Sequence, residues 1–318
     1  MEQQSAVPRG GRPGTGWLLV VFLFLAGCVG VRTDKSPEVQ LPPGRGQKLV
    51  VWMLSDIQPE VPAERSLFEK AIADVNSNVA QVDLGVIAGD LLKSRSRDED
   101  FAWFLRTRNR SKVPHWYEIA GNHDVRSMPL FHHYFPRPSW YSVEIGNILL
   151  LLLSDESTAS KTDISDAAFR WWRDMVVANQ KKIIITVTHG QLQGSGLLGS
   201  SFASRQIKGS ERFEKVLKGA GVAVWASGHV HLPQGLPGTV SIQKELGGTC
   251  FVNVSSIDTG PFMSSQSRFL IFEDGSDQLL IRSRNHSTGR FDEELDIFLH
   301  LDKPFAFSGK ESSLIFAP

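Results

Sequence analysis

Five apolar runs in this chain each end in a short polar motif. In order the motifs are Asp56-Ile57-Gln58, Gly89-Asp90, Gly121-Asn122-His123-Asp124, Thr188-His189-Gly190 and Gly228-His229-Val230-His231. A short apolar run bounded by turn residues reads as a strand buried on both faces. Such strands belong to sheets covered by helices. The pattern therefore holds the chain to an α/β architecture whose strand ends deliver polar groups.

The runs alternate with helical periodicity. Leu49 to Leu54 predicts strand 1, and Leu67, Phe68, Ala71, Ile72 and Val75 mark the buried face of a helix within Pro62 to Val79. Leu84 to Ala88 predicts strand 2, and Asp98 is the expected cap of a helix carrying Phe101, Trp103, Phe104 and Leu105. Trp116 to Ala120 predicts strand 3, followed by a hairpin over Tyr141 to Leu153 and a helix capped by Ser165. Lys182 to Val187 and Val222 to Ala226 are the strands before His189 and His229. In the last third, Phe251 to Ser255, Arg268 to Phe272 and Gln278 to Arg282 are short strands, with a turn at Glu273-Asp274-Gly275-Ser276. Alternation first and hairpins later suggests two sheets packed face to face with helices outside. Ligands in open α/β folds bind beyond the carboxyl ends of strands, where every motif lies.

The first residues have a different character. Arg9 and Arg12 precede the apolar run Trp17 to Ala26, which has the length of a signal-peptide core and falls short of the roughly 20 residues that span a bilayer. The run ends in Leu25-Ala26-Gly27-Cys28, which resembles the lipobox of bacterial lipoproteins. The expectation is a signal peptide over 1–27, a lipidated Cys28 with a tether over 28–47, and one domain over 48–318. Such a tether spans roughly 25 Å. The chain would then be an exported cell-envelope lipoprotein, on the periplasmic side of the inner or outer membrane if Gram-negative. Arg9-Gly10-Gly11-Arg12 separates its arginines, so export in the unfolded state and metal loading afterwards are expected. The other cysteine, Cys250, has no partner for an internal disulfide once Cys28 is lipidated and reads as a buried thiol. A formal net charge of zero argues against general affinity for nucleic acid.

Asp56, Asp90, His189, His229 and His231 reach neighbouring strand ends with no Lys or Arg inside the motifs. Carboxylates gathered in a crevice repel, and each costs several kcal/mol to desolvate if unpaired. Divalent cations remove that penalty. Asp, His, Asn and Gln suit Mn, Zn, Fe or Mg, and no thiolate intervenes. Two such ions roughly 3.5–4 Å apart clamp the attacking and leaving oxygens of a displacement at phosphorus.

The order and spacing of the five motifs resemble the calcineurin-like metallophosphoesterase superfamily, over Lys48 to about Arg290. The resemblance implies a four-layer α/β/β/α sandwich of two packed mixed sheets, with the metal site at strand carboxyl ends. It implies that Asp56 and His231 bind one metal, that Asp90 bridges both, and that Asn122, His189 and His229 complete the second site. His123 would stand beside the leaving-group oxygen, oriented by Asp124, with a bridging hydroxide as nucleophile and no covalent enzyme intermediate.

Gln58 departs from the usual Asp-x-His, and it is either a lost ligand or a substituted one. Some members of the superfamily carry Gln here. As a neutral oxygen ligand it favours Mn or Mg over Zn or Fe. Arg95 and Arg126 follow the second and third motifs and are candidates for substrate phosphate. Gln191 to Ser204, rich in Gly and Ser, is either a linker or a substrate-contacting loop. His132 and His133 either face the substrate or belong to a surface loop; His115, His286 and His300 match no motif.

The expected activity is metal-dependent hydrolysis of a phosphomonoester, a phosphodiester or a nucleotide pyrophosphate, on a small molecule or a lipid-linked phosphate. The other expectation is a non-catalytic scaffold of the same fold that binds a protein partner at the cell envelope. The oligomeric state is left open.

Overall fold

The computed structural model describes residues 47–156, 162–258 and 264–307. The apolar run Trp17 to Ala26, the expected lipidation at Cys28 and the tether as far as residue 46 lie outside the described residues.

The first half of the domain alternates. β1 (Lys48–Leu54) leads to α1 (Arg65–Asn78), β2 (Leu84–Ala88) to α2 (Asp98–Arg108), and β3 (His115–Ile119) to α3 (Met128–Tyr134). A hairpin of β4 (Trp140–Ile145) and β5 (Ile148–Leu153) follows. The alternation resumes with α4 (Asp166–Ala178), β6 (Ile183–Thr188), α5 (Glu211–Leu217) and β7 (Val224–Ser227). Short strands close the chain: β8 (Val240–Gln243), β9 (Thr249–Asn253), β10 (Gln266–Glu273), β11 (Gln278–Asn285), β12 (Arg290–Phe291) and β13 (Ile297–His300).

These strands form two mixed sheets. One has the order β12-β11-β10-β1-β2-β3 with β13 beside β11; the other has the order β4-β5-β6-β7-β9-β8. β1, β2 and β3 run parallel, as do β5, β6, β7 and β9. Every motif strand thus lies in a parallel block.

β5 shows why the second half of the hairpin is apolar throughout. Leu150 and Leu152 point into the core between the sheets, against Val86, Tyr117, Ile185 and Val252. Leu149, Leu151 and Leu153 point the other way, beneath Trp172 and Val176 of α4 and Phe213 of α5. On the far side of the first sheet, Trp52 and Leu54 pack under Phe68, Ile72 and Val75 of α1 and Phe101 and Phe104 of α2. Three apolar layers separating helix, sheet, sheet and helix make the α/β/β/α sandwich.

Local signals act as their chemistry dictates, with one correction. Ser165 Oγ accepts the Ala168 N–H and caps α4. Asp98 does not cap α2; it is the first helical residue, and its carboxylate takes the Tyr134 hydroxyl at 2.8 Å. Asp100 closes that end instead by accepting the Arg97 N–H at 2.8 Å. Cys250 is buried in β9, and burial pushes its thiol pKa up to about 12.

A buried polar network ties α1 to the last strands. Trp52 Nε1 donates to Ser267 Oγ, which pairs at 2.8 Å with His286 Nε2, while His286 Nδ1 lies 2.8 Å from Asp74 Oδ2. Arg284 Nε donates to the same carboxylate. The Ser–His–Asp order is that of a nucleophilic triad, but Ser267 is fully buried with Trp52 donating to its hydroxyl. It joins elements and meets no substrate.

Candidate metal centre

The five motifs converge where the carboxyl ends of the two sheets meet. Backbone bonds lace the first motif to the second: Asp56 N–H donates to Gly89 O, and Ile57 N–H to Asp90 O at 2.9 Å. Within the second sheet, Gly228 N–H donates to His189 O at 3.0 Å, and across the sheets His229 N–H donates to Asp56 Oδ2 at 2.8 Å. His123 N–H donates to Asp90 Oδ1 at 2.9 Å.

The turns that aim these side chains are strained. Asp56, Asp90, His229 and His231 all have positive φ, at 53°, 53°, 68° and 50°. Left-handed backbone is uncommon for residues other than glycine, and it persists where surrounding contacts over-determine it. The motif glycines have a separate task, which is to leave room for ligands. A Cβ at Gly89 would strike the His189 ring, one at Gly121 the Asp90 carboxylate, and one at Gly228 the side chains of Ser55 and Asp56.

Two groups of donor atoms result. In the first, His231 Nε2 lies 3.0 Å from Asp56 Oδ1 and 3.1 Å from the Gln58 amide nitrogen. In the second, His189 Nε2 lies 3.0 Å from Asp90 Oδ2 and 3.1 Å from Asn122 Oδ1. The donor atoms of Asp90, His189 and His229 all fall within 4.8 Å of one another.

Proton positions show that these sets suit cations. His189 Nδ1 sits 2.8 Å from the Ala88 carbonyl, which can only accept, so Nδ1 carries the proton. In the neutral ring, Nε2 then turns a lone pair toward the oxygens of Asp90 and Asn122. His229 Nε2 is held at 3.0 Å by the Ser204 carbonyl, which leaves Nδ1 as its electron-pair donor. Gln58 Oε1 is buried without a hydrogen-bond partner. Lone pairs gathered against lone pairs are stable only around a positive charge.

In the protein alone that charge falls on protons. Burial alone would lower the pKa of His189, but the Asp90 carboxylate, helped by Asp56 and Asp155, holds it well above the usual range. Burial opposes the same change at His231, and Asp56 raises that ring to about 10. Burial would raise Asp56; its imidazole neighbours, His231 foremost, drive it below the ordinary carboxylate range. His229 is lowered to about 4 by burial and by His189.

Asp124 requires a correction. Its carboxylate does not orient His123: it accepts the backbone N–H groups of Gly121, Leu91 and Leu92, at 2.9, 3.1 and 3.1 Å. The carboxylate reaches those amides because it lies beneath both turns, and it pins the second motif to the third. Burial and the nearby Asp90 raise its pKa to about 7. The partner of His123 Nδ1 is Ser94 Oγ at 3.2 Å.

Arg95 and Arg126 are exposed and have no ion pair among the described residues. Arg95 follows Ser94 with φ of 62°, and Arg126 N–H donates to His123 O. Both flank His123 without touching the donor atoms. Gln191 to Ser204 is no linker. Its ends are bound by Gln191 N–H to Arg205 O and by Ser204 O to His229. His132 and His133 lie on α3 and not in a loop, and His132 Nδ1 meets the Arg137 carbonyl.

Sequence reasoning missed two acids. Asp258 Oδ2 lies 3.7 Å from His231 Nδ1, just past β9. Asp155, just past β5, is fully buried with Oδ2 unpartnered, and burial raises its pKa well above the usual range. Their shared signal was position, since each follows the end of a parallel strand beside a motif strand.

The calcineurin-like phosphoesterase family matches residues 49–233, more than half of the chain. The chain belongs to this family. Among solved structures, the phosphoesterase domain resembles the purple acid phosphatase PPD1 of yellow lupin seeds (TM-score 0.60, 16% identity, 82% of this chain covered). It also resembles GAP50, the anchor in the inner membrane complex of Plasmodium (TM-score 0.57, 13% identity, 81% of this chain and 90% of GAP50 covered). The match spans 55% of the lupin enzyme's length. At these identities the likeness is one of fold. No curated protein matches the chain by sequence.

Proposed function

We propose that this phosphoesterase domain is a metal-dependent hydrolase of phosphate esters with a two-cation centre. One observation carries the reading: His189 is fixed with its Nε2 lone pair against the oxygens of Asp90 and Asn122, with His229 alongside. Asp56, Gln58 and His231 would hold one cation, Asn122, His189 and His229 the other, and Asp90 would serve both. When bound, two divalent cations act as Lewis acids at phosphoryl oxygens and acidify water.

The residues of the chain supply the rest. Asp56 and Asp90 each have one carboxylate oxygen fixed by a backbone N–H, so the other oxygen keeps its aim. The Ala88 and Ser204 carbonyls set the tautomers of His189 and His229. Ser94 Oγ steadies His123 Nδ1, and in the tautomer where Nδ1 accepts, the ring proton sits on Nε2, from which it can pass to a leaving oxygen. The oxygen-rich donor set, with Gln58 in place of an imidazole, favours Mn or Mg. The Trp17 to Ala26 run and Cys28 support an exported, lipid-anchored protein.

The deciding experiment assays phosphomonoesters, phosphodiesters and nucleotide diphosphates with Mn, Zn and Mg in turn, alongside metal content by elemental analysis. Turnover that requires metal is expected. Bound metal with no turnover of any ester would leave the family's scaffold role in its place.

A further inference from the structure

We propose that the site acts on phosphate esters bearing a long hydrocarbon chain, and that this chain lies on an apolar rim formed by Leu198, Phe202 and Leu236; the inference rests on the phosphoesterase reading above. These side chains are 45%, 63% and 42% exposed, on loops rich in Gly, Ser, Pro and Gln. Among the described residues the other exposed large apolar side chains are Val61 before α1, Val177 on α4, Ile242 on β8 and Phe298 on β13.

The rim is a built feature. Leu198 N–H donates to Gly238 O at 2.7 Å, joining its loop to the one that carries Leu236. Successive tight turns, Ser200 N–H to Leu197 O, Phe202 N–H to Gly199 O and Arg205 N–H to Phe202 O, hold Phe202 in place. Two residues beyond Phe202, the Ser204 carbonyl takes His229 Nε2, and Arg205 Nη1 donates to His229 O. A Cβ at Gly199 would meet the side chain of Val230, between the two histidines of the last motif. The loop that carries Leu198 and Phe202 therefore also walls the metal centre.

Charge identifies the occupant. Residues 189–210 and 228–243 contain no Asp or Glu, while Arg205 and Lys208 are exposed among them. An apolar surface whose own loops carry two cations and no acid complements a molecule that is anionic at one end and hydrocarbon at the other. A chainless phosphate has no use for the rim.

The test uses the full chain with metal and two matched pairs of esters below their micellar concentrations. Methyl phosphate is compared with dodecyl phosphate, and methyl nitrophenyl phosphate with dodecyl nitrophenyl phosphate. Calorimetric binding is measured beside kcat and KM. The dodecyl member is expected to bind and react with a KM roughly tenfold or more lower. Replacing the rim together (Leu198→Ser, Phe202→Ser, Leu236→Ser) should erase that preference and leave the methyl esters and Tm unchanged. Equal KM values in the wild type, or a preference that survives the replacement, would overturn the proposal. So would a dimer that the replacement dissociates, which would give the face to a second copy. If no ester is turned over, the phosphoesterase reading fails by itself. Rim-dependent dodecyl binding would then still assign the surface to a hydrocarbon chain, and its absence would end that assignment too.

Discussion

At the residue scale, His123 is the group whose loss separates chemistry from metal binding. Its backbone N–H orients Asp90, but its ring touches none of the donor atoms. His123→Ala is therefore expected to keep metal content, by elemental analysis, and to lower kcat by roughly 10²-fold or more. Ser94 supports that ring through one neutral hydrogen bond worth about 1 kcal/mol. Ser94→Ala should lower kcat about fivefold with KM unchanged, and Ser94→Thr, which restores a hydroxyl, should recover most of the loss. Gln58 is a separate case. It sits 3.1 Å from His231 with its Oε1 buried and unpartnered. Gln58→His should raise affinity for Zn or Fe relative to Mn in competitive metal titrations, and an unaltered preference would remove Gln58 from the ligand set.

At the scale of elements, the network from α1 to β10 and β11 decides stability away from the site. Asp74 balances Arg284 and accepts from His286 in a buried setting. Asp74→Ala leaves the guanidinium without its carboxylate and should cost about 3–5 kcal/mol in denaturant unfolding. Burial lowers the pKa of His286 below its ordinary 6.5, against the pull of Asp74. Between that lowered value and about 6.5, the unfolded chain binds a proton that the native chain does not. The His286 contribution to stability is thus complete above about 6.5 and declines as pH falls through this window. For Asp74, burial favours the neutral acid, but His286 and Arg284 hold its pKa below the ordinary carboxylate range. Its contribution is complete above about 3.9 and is lost only as pH falls toward its folded value. The difference in unfolding free energy between wild type and His286→Gln should therefore slope with pH just below 6.5 and be flat above it.

Over the whole molecule, the centre joins two sheets through opposing demands. Asp56 and Asp90 from one sheet meet His189, His229 and His231 from the other, on strained turns. A ligand that binds only the folded state stabilises it by mass action. Metal at about 100 times its Kd should add ~2.7 kcal/mol. In a domain of this size that corresponds to a Tm rise of about 5 °C on adding Mn to chelated protein. Asp90→Ala should abolish the rise, and a shift of undiminished size would show that the metal acts elsewhere.

Much of this protein was legible in its sequence, because burial leaves a periodic signature. The continuous run Leu149 to Leu153 required a strand covered on both faces, and the structure covers it with Tyr117 and Val252 on one side and Trp172 on the other. The ordered motifs pointed to one site because parallel strands put their carboxyl ends at the same edge. Other features were set by packing between residues far apart in the chain. Asp124 follows His123 directly, yet the fold turns its carboxylate down to the Leu91 and Leu92 amides and brings Ser94 to the imidazole. Asp155 and Asp258 belong to no motif and come near the centre only because β5 and β9 flank the motif strands β6 and β7. Sequence alone determined the elements, their order and the residues able to bind metal, since these follow from short-range periodicity and side-chain chemistry. Only the tertiary structure decided proton placement, the partner of His123 and the apolar rim beside the centre, since each depends on groups brought together from distant segments.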